Sequence, residues 1–247
     1  MNSFFDTTHT FIPYSAEHLS LLFGFLAFMI WFIRFMGTSS AESQRKTLLG
    51  ISIALSIAQL AKIPLNSYTG TFDVTKDIPL HMCNFLPFIM VAVYYTKNRV
   101  LWATVFFWII LGVSQANFTP SVEYSLFHYD AIRYWMVHMG LVLLALYPAI
   151  TWKWELELKD VARTIIWLNV AAVFIYGMNL LLGSNYLYVM GKPPGTTFFS
   201  ILPPWPTYIL VLEVILVIWS LMVLGIFKLI KSRRTSTDMV MERSEIS

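Results

Sequence analysis

Seven apolar runs, at 19–36, 48–66, 79–96, 100–117, 132–150, 162–182 and 208–231, constrain this chain more than any other feature. About 20 apolar residues let a helix cross the hydrocarbon of a bilayer. In lipid every backbone N–H and C=O must find a partner inside the protein, which leaves helices and closed barrels. The runs are continuously apolar rather than alternating, which argues against strands. Only 13% of the residues are charged and 57% are hydrophobic, against about 25% charged in a soluble domain. The expectation is an all-α polytopic membrane protein, a bundle of about seven transmembrane helices. One integral domain covers 1–232, and a polar tail over 233–247 is expected to be disordered. The net charge of +3 calls for no nucleic-acid partner. A single cysteine excludes an internal disulfide and a cysteine-cluster metal site. No basic stretch precedes the first apolar run, so no cleaved signal peptide is expected.

Lys and Arg in the connections orient a bundle. Of the 17 such residues, Lys62, Lys76, Arg133 and Lys192 fall on one side and all others on the opposite one. The alternation holds through every loop. It predicts an N-terminus outside and a C-terminus in the cytoplasm of a multi-pass protein of the cell (inner) membrane. Trp102, Trp135, Trp152, Trp154 and Trp205 suit the interfacial belts of such a protein.

Polar side chains are costly in lipid and mark functional sites by default. With this topology they cluster toward the outer leaflet. Gln59, Lys62 and Asn66 lie in the outer half of helix 2. His81, Cys83 and Asn84 open helix 3. Ser114, Gln115 and Asn117 close helix 4. Arg133 sits at the mouth of helix 5, with His138 about 9 Å along the same side of the membrane at the helical rise. Asn179 ends helix 6, Asn185 follows it, Glu213 enters helix 7, and His18 opens helix 1. The inner half is poorer, with Asn169, a few serines such as Ser52 and Ser220, and helix-end cations. The blander alternative is a set of scattered interhelical hydrogen bonds.

Within "IPLHMCNFLPF", residues 78–88, Cys83 is the strongest intrinsic nucleophile of the chain. Asp77 or Ile78 is expected to cap helix 3, with Pro79 in its first turn. Cys83 then sits near a positive helix end. Pro87 lies four residues on, removes the helical partner of the Cys83 carbonyl and should kink the helix. His81 is two residues from Cys83 and does not share its helix face. His138 is therefore the better base, with Asn179 or Glu213 as a third member. Lys62 pairs with Glu213 or meets an anionic head group. A lone cysteine in such a helix is more often a packing residue; convergence at one depth carries the case. Zinc on His18, His81, His138 and Glu213 is a weaker option, because no HxxxH or HExxH pair supports it. No cofactor is expected. The aromatic connection from Gly183 to Tyr208, broken by Gly191 and several prolines, either roofs the outer cavity or only anchors at the interface.

The chain resembles the YwaF / transmembrane protein 164 family. Ser15-Ala16-Glu17-His18-Leu19, Ile78-Pro79-Leu80-His81-Met82-Cys83, Trp135-Met136-Val137-His138 and the stretch from Gly183-Ser184-Asn185-Tyr186-Leu187-Tyr188 through Lys192-Pro193 to Pro204-Trp205-Pro206 carry the resemblance over nearly all of residues 10–230. The chain looks like a bacterial member. The resemblance implies an acyltransferase acting on phospholipids through a cysteine, with an architecture similar to the androgen-induced membrane hydrolases. Carried over by position, Cys83 matches the nucleophile and His138 its partner. Membrane lipids, by head group and acyl chain, are then the expected partners. No third triad member carries over; Gln59, Lys62, Arg133, His18, His81, Asn179, Asn185 and Glu213 are expected in support from their shared depth. A transporter or binding protein using the same polar cavity is the second reading. It requires polar groups continuing to the inner face, or half-helices meeting at the midplane. A structural role is the third, and it leaves the one-sided clustering unexplained.

Overall fold

Short polar side chains start the helices by taking amides that have no helical acceptor. Ser15 accepts from the His18 amide and opens α1 (Ala16–Gly37). Ser40 accepts from Ser43 and opens α2 (Ala41–Thr69). α3 (Met82–Thr96) has His81 at its N-cap and no side-chain cap. Asn98 opens α4 (Arg99–Phe118) by accepting from Leu101. His128 accepts from the Asp130 amide at α5 (Tyr129–Ile150). Glu157 and Asp160 form a reciprocal capping box at α6 (Leu158–Leu182). α7 is Thr207–Ile246. Gly70 and Gly183 end α2 and α6 at φ +72° and +63°, which a side chain rarely tolerates.

The computed structural model describes the backbone of residues 3–193 and 198–246, and side chains over 4–193 and 199–230. The chain is an all-α polytopic membrane protein. Among the described residues, six helices are long and apolar enough to cross a bilayer, and α3 is a shorter apolar helix. The expected disorder of 233–247 concerns side chains outside the described residues; the backbone to Ile246 continues α7.

Burial ranks the helices. Of the most apolar window, 67% is buried in α5 and 56% in α4, against 11% in each of α1, α6 and α7. α4 and α5 are therefore the centre, and the other three give Phe23, Trp31, Val173, Phe174, Leu181 and Leu210 to lipid. Trp102 and Trp135, assigned above to interfacial belts, are buried core residues. The Trp102 indole N–H donates to the Ala145 carbonyl of α5 at 2.9 Å. A tryptophan near a helix end faces inward when its helix is the central one.

Two details position the site. α3 begins at Met82 and not at Pro79. Leu80 N–H bonds Ile78 C=O in a tight turn, and Asp77 is drawn to Lys62 instead of capping α3. At 15 residues, about 22 Å, α3 is shorter than the hydrocarbon. In α4, residues Trp108–Val113 are π-helical. There Gly112 has the Met82 sulfur 3.4 Å from where a Cβ would stand.

α5 approaches α2 closely at Gly140, where an added Cβ would lie 2.7 Å from Leu55 Cδ1. Leu55 is itself buried and has little room to withdraw. Gly140→Ala is expected to cost about 1–3 kcal/mol of overpacking and to lower the melting temperature in detergent. Adding Leu55→Ala should recover part of the loss relative to Leu55→Ala alone.

Candidate functional site

Pro87 supplies no N–H, so the Cys83 carbonyl lacks its helical donor. The donor comes from another helix. Gln59 of α2 gives one Nε2 hydrogen to the Cys83 carbonyl at 3.2 Å and one to Asn84 Oδ1 at 2.7 Å. The Cys83 thiol donates to the same Asn84 oxygen at 3.4 Å. Gln59 Oε1 accepts from Arg133 Nη1 of α5 at 2.6 Å. Arg133 also donates from Nε and Nη2 to Asp130 Oδ1 at 3.1 and 2.6 Å. Three helices thus meet in one chain of hydrogen bonds ending on the thiol.

Cys83 is half-buried at the second position of α3. The His81 side chain does not cap that helix; the His81 carbonyl accepts from the Asn84 and Phe85 amides at 2.8 and 3.2 Å. The Met82 and Cys83 amides come before the first helical acceptor and are the ones open to an oxyanion near the sulfur.

His138 is buried in α5. Its Nδ1 lies 2.7 Å from the Tyr134 carbonyl, which can only accept. Nδ1 therefore carries the hydrogen, and Nε2 holds the basic lone pair. The ring packs on Tyr134 with centroids 4.1 Å apart. The Tyr134 hydroxyl is fixed by donating to Ala116 C=O at 2.8 Å, and Tyr134 lies within electrostatic reach of Cys83. Cys83 and His138 share no hydrogen bond.

Other expected members are elsewhere. Lys62 pairs with Asp77 at 2.8 Å, not with Glu213, because the loop after α2 folds back over it. Glu213 is half-buried and bonded to no described residue. Asn179 does not orient His138; it donates to Tyr186 C=O and accepts from Tyr186 N–H and Ser184 Oγ, fixing the end of α6. The His138 ring is oriented from its own helix, by the Tyr134 carbonyl. Asn185 closes the loop through Gly191 and Met190. His18 accepts from Tyr14 N–H on Nδ1 and donates from Nε2 to Asn117 C=O, so both nitrogens serve packing. Among the described residues no three His, Cys, Asp or Glu side chains group as metal ligands.

The connection after α6 does fold over this end. His81 accepts from Leu187 N–H at 3.4 Å and lies between the Tyr186 and Tyr188 rings. Tyr186 reaches the α2–α3 loop, donating to Val74 C=O and accepting from Ile78 N–H. Burial, and next the field of Cys83, push the Tyr188 hydroxyl up. Asp130 and Tyr134 were not singled out above, and Tyr186 and Tyr188 appeared only within the aromatic connection. Pro87 signals an orphan carbonyl but not which helix answers it.

The sequence model of the TMEM164 family matches residues 13–224. The chain belongs to the TMEM164 family. The family match spans Gln59, Cys83, Asn84, Arg133, His138 and the tyrosine-rich loop, and stops short of the tail. No curated protein and no solved structure matches the chain.

Burial first, and then the nearby Lys62 charge, hold His81 down at about 4, against about 6.5 in an unfolded chain. The folded state therefore binds fewer protons between those values, and stability is lost as pH falls from about 6.5 toward 4. Melting temperatures across that range should fall for the native protein and fall less for His81→Gln.

Proposed function

We propose that this protein catalyses acyl transfer from a membrane lipid ester, as an acyltransferase or hydrolase, at the outer-leaflet side of the cell membrane. The observation that carries the reading is the sole cysteine at the uncapped start of α3, on the same end of the bundle as a histidine whose Nδ1–H is fixed and whose Nε2 is basic. Membership of the TMEM164 family supports it, as does the residue-by-residue resemblance at Cys83 and His138.

The chemistry divides as follows. His138 Nε2 accepts the thiol proton as the Cys83 sulfur attacks the ester carbonyl. The Met82 and Cys83 amides at the start of α3 hold the oxyanion. The C–O bond breaks, His138 returns the proton to the departing lipid alkoxide, and the acyl group stays on sulfur as a thioester. A second hydroxyl or water then attacks that thioester. His138 takes its proton and passes it to the departing thiolate. His138 and Cys83 must close up for the first step, as groups in ligand-free sites commonly do. Phospholipid suits a site near the start of α3 with the cations Arg133 and Lys62 nearby.

A transport reading needs a polar path to the opposite face. Beneath Cys83 the helices close on Leu86, Met90, Ile109, Val137 and Leu141, all fully buried. That apolar floor favours a site closed on one side.

Purified variants assayed with phospholipid, by fatty-acid release and by transfer to a second lipid, test the proposal. Cys83→Ala should reduce turnover to background, and His138→Ala should reduce it by about 10²- to 10⁴-fold. Full activity in Cys83→Ala and Cys83→Ser removes the nucleophile assignment.

A further inference from the structure

Each bond in the Asp130–Arg133–Gln59–Asn84–Cys83 chain has a forced direction. Arginine has donors only. Arg133 therefore makes Gln59 present its oxygen to α5 and its NH₂ to α3. Both hydrogens of that NH₂ are then spent, one on the carbonyl freed by Pro87 and one on Asn84. Asn84 must present its oxygen to Gln59, and this same oxygen faces the Cys83 sulfur. An amide oxygen cannot donate to sulfur. The remaining direction is S–H to oxygen.

We infer that Gln59, held by Arg133, is a positioning residue that fixes the Cys83 proton on Asn84 Oδ1 in the resting protein. The inference builds on the acyl-transfer reading, in which each turnover starts from a thiol whose proton and sulfur lone pairs have a set direction. The S–H turns from Asn84 Oδ1 to His138 Nε2 as the two groups close up for attack, so Asn84 sets the thiol only in the resting protein. The alternative is that Gln59 only satisfies the Cys83 carbonyl. Asn84 would then rotate independently of it. Pro87 separates the two roles. Pro87→Ala returns a backbone N–H to the Cys83 carbonyl, so it removes the structural need for Gln59 without touching the contact with Asn84.

The S–H stretching band of the sole cysteine reads this bond directly. It falls in a clear region of the infrared spectrum and moves to lower frequency when the thiol donates. Cys83→Ala, which abolishes the band, assigns it. The wild-type protein in lipid nanodiscs should show one narrow band below the position of a free alkanethiol. Asn84→Ala should move it to the free position. Gln59→Met should broaden it and move it toward that position, and Gln59→Met with Pro87→Ala, the variant protected against misfolding, should do the same. Pro87→Ala alone should keep the wild-type band. A wild-type band in the Gln59→Met, Pro87→Ala protein, or an unshifted band in Asn84→Ala, overturns the inference. The band needs no turnover, so its result stands whether or not Cys83→Ala retains lipid activity.

Discussion

The amide of Gln59 is the contact on which this end of the bundle depends. It lies between an arginine that can only donate and a helix whose proline has left a carbonyl without a donor. A buried carbonyl left unmade costs about 1–3 kcal/mol, and Gln59 removes that cost. It also joins α2, α3 and α5 at one point, directly beside the only thiol. The remaining polar contacts arrange themselves around this joint. Asp130 anchors Arg133 at the mouth of α5, and the Lys62–Asp77 pair ties the α2–α3 loop down next to it.

Rigidity comes from what surrounds the joint. The floor of fully buried Leu86, Met90, Val137 and Leu141 allows little collapse or movement below Cys83. The tyrosine-rich connection covers the start of α3 through His81, Tyr186 and Tyr188. On a third side, the N-terminal segment lies against the α4–α5 loop. Phe11 N–H bonds Glu123 C=O, Ser125 N–H bonds His9 C=O, and Glu17 accepts from Ser125 and Leu126. A shallow cavity of about 430 Å³ opens there, lined by Asp6, His9, Ser125, Phe127 and His128.

Much of this was legible in the sequence. Run length fixed the class of fold, because lipid allows so few ways to satisfy a backbone. Helix ends were read less well. The start of α3 moved from Pro79 to Met82 because a tight turn and the Lys62–Asp77 pair took the residues expected to begin it. Residue type and depth grouped Gln59, Cys83 and Arg133 correctly, and Pro87 announced the orphan carbonyl. Pair identities were not readable. Lys62 has Asp77 and Glu213 as candidate acids, and only the path of the loop decides between them. Asn179 and His18 share the level of the site, yet their bonds serve the α6 loop and the α1–α4 contact. Burial of Trp102 and Trp135 depended on which helices are central, a property of the whole bundle that no single segment encodes.

The central claim is that the Cys83 sulfur forms a covalent bond with an acyl group. Intact-mass measurement of the purified protein, trapped within seconds of mixing with a phospholipid of defined acyl chains, tests it most directly. The account predicts one added acyl mass, mapped to Cys83, released by neutral hydroxylamine as a thioester is, and absent in Cys83→Ala. Lipid turnover with no acyl adduct at Cys83, or an adduct that forms equally in Cys83→Ala, would contradict it.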